Sequence, residues 1–458
     1  MASKSRSKRP FEQGDLVEGT ISALSRRGGS IAEVKGARVR VMGGVPGDLA
    51  KIRVVHTGKN INVGHIHTLT SPSEHRVEAP CPVVTKCGGC PWQPASLSLQ
   101  RETRAQEVAR LLAPFTNPNT REHGWLGPDK VKGYRTRALM VTRHRGGSLR
   151  MGFYAPGTQD LVPIDQCVVQ HPRVNSVLKK AHRLLARLNW PTWRSVERPG
   201  VLRGLLYRVD PNVDEGILTL ILAVEPGPQV MEAAKALMGI EGVCGVHANI
   251  NPHEGGPMLG KRSVHLRGKR YQRVTYGELE LEVSATSFIQ TRHDMAEAMV
   301  KSLGDFLPEE IEHLVDLYSG AGLLGLAHRH RAQRVTLVES HPQASQDAMR
   351  NADKVGSDSL HVLAEDAAIA APRVLRDGAD VIILDPPRAG CAQSVIDAIC
   401  AIESDLKVLY VSCEARSLAR DLKKLHAQGF KISEWALFDM FPHTPHVEVG
   451  IALERARA

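Results

Sequence analysis

The sequence has none of the features that mark membrane, secreted or disulfide-stabilised proteins. No apolar run approaches the roughly 18–20 residues that a helix needs to span a bilayer. The N-terminal segment is basic, but no apolar core follows it, so we expect no secretory signal and a cytoplasmic protein. Eight cysteines among 458 residues are too few for a disulfide scaffold.

Positive charge, in contrast, is in excess. The 59 Lys and Arg residues against 49 Asp and Glu give a formal net charge of +10. Residues 1–75 alone carry 12 basic and 6 acidic side chains. This asymmetry favours a polyanionic partner, most simply a nucleic acid, although a basic surface that only maintains solubility would give the same counts. The length predicts two to four domains.

Short β-runs separated by turn residues fill the first part of the chain. Residues 14–21 alternate polar and apolar side chains, and the glycine-rich segments 26–29, 34–36 and 43–48 have the composition of turns. Several short strands within about 60 residues predict a small barrel of the OB type. Barrels of this kind commonly bind RNA. We interpret residues 1–10 as a disordered basic arm that precedes it.

Three of the eight cysteines, Cys81, Cys87 and Cys90, lie within ten positions. The two glycines that separate Cys87 from Cys90 allow the backbone to turn tightly. A fourth thiol, Cys167, could complete the set. Thiolates select zinc or an iron–sulfur cluster. Three clustered thiols and a remote one favour a [4Fe–4S] cluster, with a zinc site and unligated core cysteines as the alternatives.

The C-terminal part alternates strands with helices, which is typical of an α/β domain with a largely parallel sheet. One apolar strand runs through Tyr318 into a turn that contains Gly320 and Gly322, and the next strand ends at Glu339. Glycines allow the backbone to approach a ligand, and the acid can bind a ribose diol. The pattern predicts S-adenosylmethionine (SAM), because a dinucleotide pyrophosphate prefers three glycines. Asp366 follows a third strand and could contact the adenine.

Two further strand ends carry reactive groups. The buried strand 381–384 leads into Asp385, two prolines and Arg388, and another buried strand ends at Cys413. Glu448 begins an apolar strand, where a carboxylate is costly without a task or a partner. Cys413 and Glu448 beside a SAM site suggest a nucleophile and a base, although Cys413 could also be a packed core cysteine.

Together these residues resemble the RNA uracil-C5 methyltransferase family, most closely its iron–sulfur branch, which methylates uridine in 23S ribosomal RNA. The segment 385–388 is similar to the family's Asp-Pro-Pro-Arg loop, Cys413 to its nucleophile, and 441–448 to its general-base motif. Gln290, at the end of Phe-Ile-Gln, is similar to a glutamine that contacts SAM. Glu414 and Ala415 stand where the family usually has Asn-Pro.

The resemblance implies a multidomain protein. It comprises a TRAM barrel (11–72), an α+β middle domain that carries an iron–sulfur site and binds RNA (73–95 and 125–275), a helix that packs on the catalytic domain (96–124), and a Rossmann-like α/β SAM-dependent methyltransferase domain (276–458). It further implies that SAM is bound by Gln290, Tyr318, Gly320, Glu339, Asp366 and Asp385. The [4Fe–4S] cluster is then held by Cys81, Cys87, Cys90 and Cys167.

The resemblance also implies a covalent mechanism. Cys413 adds to C6 of a uracil that has left its stack, methyl transfer to C5 follows, and Glu448 removes the C5 proton. The implied partner is 23S ribosomal RNA, and we expect the protein to be a monomer. The alternatives are the same chemistry on tRNA, methylation of an exocyclic amine, and a non-catalytic RNA-binding assembly factor. Amine methylation is disfavoured because Arg388 replaces the aromatic residue usual in such enzymes.

Overall fold

The computed structural model describes residues 10–58, 62–193 and 200–455, which form two compact units. The first unit extends to Val108 and also includes Tyr154–Val162 and Phe441–His446. The second comprises Ala109–Phe153, Pro163–Met440 and the chain from Val447. Of the basic arm predicted over 1–10, residues 1–9 lie outside the described residues.

The first unit begins with a closed barrel of five strands in the order β1-β2-β3-β5-β4. Its strands are β1 (Leu16–Leu24), β2 (Ser30–Val34), β3 (Ala37–Met42), β4 (Leu49–His56) and β5 (Asn62–Ser71). The pairing of β4 with β1 closes the barrel, and β3 and β5 are parallel. Small and branched side chains such as Val39, Val41 and Ile52 fill its interior. The predicted N-terminal barrel is therefore confirmed.

Two helices follow the barrel, α1 (Val84–Cys87) and α2 (Leu97–Leu112). Between them, Trp92 is buried, and its indole Nε1–H donates to the carbonyl oxygens of Ser25 and Gly29 at 3.3 and 3.2 Å. This contact fixes the cysteine-containing segment on the barrel.

A seven-stranded mixed sheet occupies the middle of the chain, in the order β13-β12-β11-β10-β7-β8-β9. After β6 (Arg121–Leu126), which belongs to another sheet, its elements are β7 (Arg137–Arg145), β8 (Ser148–Tyr154), β9 (Leu161–Pro163), α3 (Pro172–Leu188), β10 (Leu202–Asp210), β11 (Glu215–Leu222), α4 (Pro228–Met238), β12 (Val243–Ile250) and β13 (Arg262–Gly268). Strand β10 is buried along its whole length, although it carries Arg203, Arg208 and Asp210; the two arginine side chains donate hydrogen bonds to Asn251 and Gln272, respectively. A hairpin of β14 (Gln272–Tyr276) and β15 (Leu279–Val283) follows.

The C-terminal sheet has eight strands in the order β18-β17-β16-β19-β20-β22-β21-β6. Its elements are α5 (His293–Gly304), β16 (Ile311–Leu317), α6 (Leu323–Ala327), β17 (Ala332–Val338), α7 (Pro342–Val355), β18 (Leu360–Leu363), α8 (Ala367–Val374), β19 (Val381–Leu384), α9 (Gln393–Cys400), β20 (Leu406–Ser412), α10 (Ala415–Ala427), β21 (Lys431–Phe438) and β22 (Glu448–Arg455). The five strands from β18 to β20 are parallel, and β22 runs antiparallel to β20. This is the predicted Rossmann-like α/β domain.

Two details of this domain go beyond the predicted alternation of strands and helices. The helix after the glycine turn is short and ends at Ala327, because His328 leaves the helical conformation and residues 329–331 form a 3₁₀ turn. Strand β6 was not predicted, and it extends the sheet by pairing in parallel with β21. No helix in the described ranges is both long and apolar enough to cross a bilayer.

Candidate active site

The candidate reactive groups lie at one edge of the C-terminal sheet. Strands β16, β19 and β20 are parallel neighbours, so their carboxyl ends share that edge. Asp316 is near the end of β16, Asp385 directly follows β19, and Cys413 directly follows β20. The antiparallel strand β22 begins at the same edge with Glu448. The edge is where an α/β sheet binds its ligands.

Strand register sets Cys413 beside Glu448. Ser412 pairs with Val449, and one further step in the same antiparallel register brings Cys413 opposite Glu448. Side chains at such opposite positions have Cβ atoms about 5 Å apart. Glu448 is only 2% exposed, whereas Cys413 is half-buried and remains accessible. The thiol and the carboxylate predicted as nucleophile and base are therefore neighbours.

The electrostatics of this pair favour neutral groups. Burial raises the pKa of the Cys413 thiol to about 11, and the charges of Glu448 and Asp385 act in the same direction. Burial also raises the pKa of Glu448 well above its usual range, with a further contribution from Asp385. The pKa of Asp385 itself rises to about 7 because of burial. Arg388 opposes these shifts, since its positive charge lowers the pKa values of both Cys413 and Glu448.

The glycine turn after β16 has the geometry of a ligand loop. Gly320 adopts a φ of 57°, and a Cβ at this position would meet no atom within 4 Å, so the turn faces open space. The backbone N–H of Gly320 donates to one oxygen of Glu339 at 2.9 Å, and that of His341 donates to the other at 2.6 Å. These bonds fix a half-buried carboxylate that keeps free lone pairs for the hydroxyls of a ribose.

Asp316 lies under this turn and is 1% exposed. Its Oδ2 accepts from the backbone N–H of Gly325 at 2.9 Å. Its Oδ1 has no hydrogen-bond partner in the part of the chain that the structure describes. Burial, followed by the charges of Asp385 and Glu339, raises the pKa of Asp316 to about 7. A buried acceptor of this kind fits a polar ligand in the adjacent loop.

The other predicted cofactor residues lie on three separate segments of the chain. Tyr318 has a positive φ of 80°, and its hydroxyl oxygen accepts from the backbone N–H of Ala392 at 3.5 Å. Asp366 is exposed and caps α8 by accepting from the backbone N–H of Ala368 at 2.8 Å. The charge of Asp366 contributes to raising the pKa of Tyr318, behind the larger effect of burial. Gln290 is buried in the loop between β15 and α5.

A set of contacts from α10 to the loop 385–391 was missed in the sequence analysis. Asp421 accepts from the backbone N–H of Cys391 at 2.9 Å and from the hydroxyl of Tyr410 at 2.7 Å. It also forms an ion pair with Arg420. Asp421 lies on the buried face of α10, between Leu418 and Leu422. An acid on the apolar face of an amphipathic helix was the signal that could have identified it.

The remaining contacts reach the loop backbone itself. Arg420 donates to the carbonyl oxygen of Ala389, and the Ser417 hydroxyl donates to that of Arg388, both at 2.7 Å. We call this set the helix–loop clamp: Ser417, Arg420 and Asp421 of α10 against the loop 385–391. Because α10 begins two residues after Cys413, the clamp connects the helix that follows Cys413 to the loop that carries Asp385 and Arg388.

Helix α7 makes a second connection. The Asn351 side-chain amide donates to the carbonyl oxygen of Ala321 in the glycine turn at 3.0 Å and accepts from the backbone N–H of Glu282 at 2.8 Å. One turn earlier, Asp347 accepts from the hydroxyls of Ser284 and Ser287 at 2.6 and 2.5 Å. Residues 284–290, which include Gln290, are thereby tied to the same helix as the glycine turn.

Three of the four predicted cluster ligands belong to the first unit and one belongs to the second. In the first unit, Cys81, Cys87 and Cys90 are half-buried around α1, and the Cys81 backbone N–H donates to the Gln93 side chain at 3.0 Å. Cys167, in the second unit, is also half-buried. Thiols are the donors that zinc and iron–sulfur clusters require. Within the described ranges, no three His, Cys, Asp or Glu side chains converge to hold a metal ion.

Comparisons with known proteins decide the family. Residues 269–456 match the family model described as tRNA (Uracil-5-)-methyltransferase. Over 442 residues the chain is 33% identical to an uncharacterized RNA methyltransferase of Thermosynechococcus vestitus, covering 96% of this chain and 98% of that protein. A similar protein of Halalkalibacterium halodurans is 30% identical, with coverage of 98% and 99%. The chain belongs to the RNA uracil-C5 methyltransferase family.

Members of this family are SAM-dependent RNA methyltransferases, so the chain is an enzyme that acts on RNA. Its fold is similar to that of the Pyrococcus abyssi tRNA (uracil-54, C5)-methyltransferase, solved in complex with S-adenosyl-L-homocysteine. The TM-score is 0.75 at 23% identity, and the match covers 95% of this chain and 99% of the other. This likeness confirms the multidomain fold, with an N-terminal barrel and a C-terminal methyltransferase domain.

Proposed function

We propose that this enzyme methylates C5 of a specific uridine in 23S ribosomal RNA through a covalent Cys413 adduct. The observation that carries the proposal is the placement of Cys413 opposite Glu448, next to Asp385, at the ligand-binding edge of the sheet. A thiol and a carboxylate beside a methyl donor suit addition to a pyrimidine ring, and an amine methyltransferase needs neither.

The choice of 23S ribosomal RNA rests on the resemblance to the iron–sulfur branch. Its support is the spacing of the cysteines, three within ten positions and one remote. The alternative substrate is tRNA, because the matching family model and the similar structure are both named for tRNA methyltransferases. The catalytic residues themselves do not distinguish the two RNAs, since both would present the same uracil ring.

The first step is addition of Cys413 to the ring. The thiolate forms a bond to C6 of the uracil, and the C5–C6 π electrons move toward C4 to give an enolate that is nucleophilic at C5. Arg388 assists because its charge lowers the pKa of Cys413 against the larger, opposing effect of burial. Bound SAM supplies an electrophilic methyl group for C5. The base must first leave its stack, at a cost of a few kcal/mol.

The second step is proton removal. Glu448 takes the proton from C5, the electron pair reforms the C5–C6 double bond, and the Cys413 thiolate leaves C6. Burial raises the pKa of Glu448, which makes its carboxylate a stronger base than an exposed one. Asp385, buried next to both groups, is placed to hold the uracil edge or to orient the reacting groups.

For the methyl donor, we propose that the fixed carboxylate of Glu339 binds the ribose hydroxyls. The open turn at Gly320 then allows the backbone to lie close to the bound donor. The unpartnered Oδ1 of Asp316 fits a polar ligand above it. The complete set that we propose to contact SAM is Gln290, Tyr318, Gly320, Glu339, Asp366 and Asp385.

We further propose that Cys81, Cys87, Cys90 and Cys167 ligate a [4Fe–4S] cluster. The support is the donor chemistry of four half-buried thiols and the sequence pattern that they form. No catalytic step requires the cluster, because Cys413 and Glu448 complete the reaction without electron transfer. Its expected role is to order the chain around it.

The deciding experiment is methyl transfer from labelled SAM to deproteinised 23S rRNA and to bulk tRNA, followed by nucleoside analysis. We expect label in 5-methyluridine of 23S rRNA with the wild type and none with Cys413→Ala. RNA that contains 5-fluorouridine should trap the wild type as a complex stable to denaturation, because fluorine on C5 prevents proton removal. The same RNA should not trap Cys413→Ala.

Each other result rejects a defined part of the proposal. Label in tRNA alone would retain the mechanism and replace the substrate. Label on an exocyclic amine, or transfer that survives Cys413→Ala, would contradict the covalent mechanism. Failure of the wild type to methylate either RNA, with SAM bound normally, would favour an RNA-binding assembly factor.

A further inference from the structure

A run of exposed positive charge lies on and around the terminal strand of the seven-stranded sheet: Arg262 and Arg267 are on β13, Lys261, Lys269 and Arg270 are in the segments next to it, and Arg273 is on β14. Residues 261–273 contain six Lys and Arg residues and no acid, and β13 pairs on one side only, with β12. All six are exposed. We call them the basic edge: Lys261, Arg262, Arg267, Lys269, Arg270 and Arg273.

Half of the basic edge is available to a ligand. Arg262, Lys269 and Arg273 each form an ion pair with a glutamate, but these cations are 59–64% exposed, and such surface pairs contribute little energy. In the described part of the chain, no ion pair involves Lys261, Arg267 or Arg270. The basic edge therefore presents uncompensated charge to solvent.

The basic edge starts at the rim of the proposed active site. The hydroxyl of Ser263, at the start of β13, is 3.3 Å from the hydroxyl of Thr286. Thr286 belongs to the loop that continues into Gln290, a proposed SAM contact, and Phe288 of this loop is 63% exposed. From Arg262 to Gly268 the strand then extends for about 20 Å. A polyanion that leaves the pocket can meet Arg262 at the start of the strand and Arg267, Lys269 and Arg270 at its end.

We infer that the basic edge binds the phosphodiester backbone of the RNA next to the target uridine. The inference rests on the proposed RNA substrate and adds the surface that holds it outside the catalytic pocket. Phosphate contacts of this kind fix the register of the RNA without reading its sequence. The competing explanation is that the charges only prevent edge-to-edge association of the exposed strand.

The test compares two double variants that remove the same charge. Arg267→Gln with Arg270→Gln changes the basic edge, and Lys423→Gln with Lys424→Gln changes two exposed cations of α10. Binding of a 23S rRNA transcript is measured over a series of salt concentrations, with wild-type methyl transfer followed in parallel. We expect the basic-edge variant to bind the RNA roughly tenfold more weakly. The plot of the logarithm of its association constant against the logarithm of the salt concentration should also be less steep, by about 1.4. The control variant should retain both.

An unchanged affinity and slope, or an equal loss in the control, would overturn the inference. Unchanged binding together with stronger self-association would assign the charges to protection of the edge. If the wild type methylates no RNA but the basic-edge variant still loses affinity and slope, the surface is supported and the proposed reaction is rejected. The proposed binding surface and the proposed reaction can thus be rejected independently of each other.

Discussion

The negative charge of Glu448 disfavours ionisation of the Cys413 thiol. Burial is the main reason that the pKa of Cys413 rises to about 11, and the negative charge of Glu448 comes next. At neutral pH the thiol is therefore mostly protonated, and its thiolate fraction grows about tenfold per pH unit below that pKa. Any change that removes the carboxylate charge should move the pKa of Cys413 down.

We therefore expect Glu448→Gln to make Cys413 more reactive and the enzyme less active. At a pH high enough for Glu448 to be ionised in the wild type, yet below the raised pKa of Cys413 (about 11), iodoacetamide should alkylate Cys413 faster in the variant, because more thiolate is present. Methyl transfer should slow by about 10²–10⁴, because the base for the C5 proton is gone. Peptide mass spectrometry follows the alkylation, and labelled SAM follows the transfer.

Arg388→Gln serves as the opposite control, since loss of the positive charge raises the pKa of Cys413 and should slow alkylation. Equal alkylation rates in all three proteins would show that neither charge acts on Cys413. Normal turnover of Glu448→Gln would remove Glu448 from its proposed role as base.

The proposed role of Glu339 in binding the ribose can also be tested with a single substitution. Its carboxylate is held by the backbone N–H groups of Gly320 and His341. We expect Glu339→Gln to weaken binding of S-adenosylhomocysteine by about 1.5–3 kcal/mol, the usual contribution of hydrogen bonds to a charged group. Calorimetric titration measures the change directly.

Asp358→Asn is the charge-matched control for Glu339→Gln. Asp358 is an exposed acid that lies three residues after Val355, where α7 ends, and outside the glycine turn. We expect this variant to bind S-adenosylhomocysteine as the wild type does. Equal affinity of Glu339→Gln and Asp358→Asn would contradict the assignment of Glu339 to the ribose.

At the scale of elements, the helix–loop clamp connects α10 to the loop that carries Asp385 and Arg388. Asp421 accepts hydrogen bonds from Cys391 and Tyr410, and Arg420 and Ser417 hold the loop carbonyls. The position of the Arg388 charge relative to Cys413 therefore depends on a helix that begins two residues after Cys413.

We expect Asp421→Asn to destabilise the protein by about 1–3 kcal/mol, because two buried donors lose a charged acceptor. If the clamp positions Arg388, the variant should also need a higher pH for Cys413 alkylation, since the charge that lowers the pKa of Cys413 is less well placed. Thermal unfolding and the pH profile of alkylation measure the two effects.

Asp397→Asn is the matched control, because Asp397 is an exposed acid on the adjacent helix α9. Ser417→Ala removes one contact of the clamp at an incompletely buried position and keeps the test usable if Asp421→Asn does not fold. A lower unfolding temperature with an unchanged alkylation profile would show that the clamp is structural only.

Elements whose sequence patterns are local could be predicted from the sequence. Buried runs such as 381–384 and the turn at Gly320 predicted both the strands and the ligand edge, because apolar runs and glycine turns are set by nearby residues. Strand β6 escaped prediction because its residues are mostly polar and exposed, and only pairing with β21 makes it a strand. The contacts of Asp421 were missed for the same reason, since they join segments about 30 residues apart.

At the scale of the whole molecule, the first unit brings together segments that are far apart in sequence. The Trp92 backbone N–H donates to the carbonyl oxygen of His443 at 3.0 Å, and the His443 N–H donates to Gln100 at 2.9 Å. Arg104 donates to the carbonyl oxygen of His446 at 3.0 Å. The segment that directly follows the clustered cysteines therefore holds residues that come shortly before Glu448 in the chain.

This connection gives the proposed cluster a testable role. Cys87→Ser should lose iron and sulfide, and hydrogen exchange should increase in residues 81–104 and 441–446, because the held segments lose their anchor. Exchange in the buried strands β16, β19 and β20 should stay unchanged. Methyl transfer should fall as the chain before Glu448 loosens, with SAM binding retained.

Cys400→Ser, which changes a half-buried cysteine of α9, separates loss of the cluster from the loss of any thiol. This control should keep both its iron and its protection from exchange, because Cys400 is not among the four proposed ligands. A wild type that contains zinc or no metal would reject the cluster. Iron loss without a change in exchange at 441–446 would reject only its ordering role, because the hydrogen bonds of Trp92, Gln100 and Arg104 would then hold that segment without the metal.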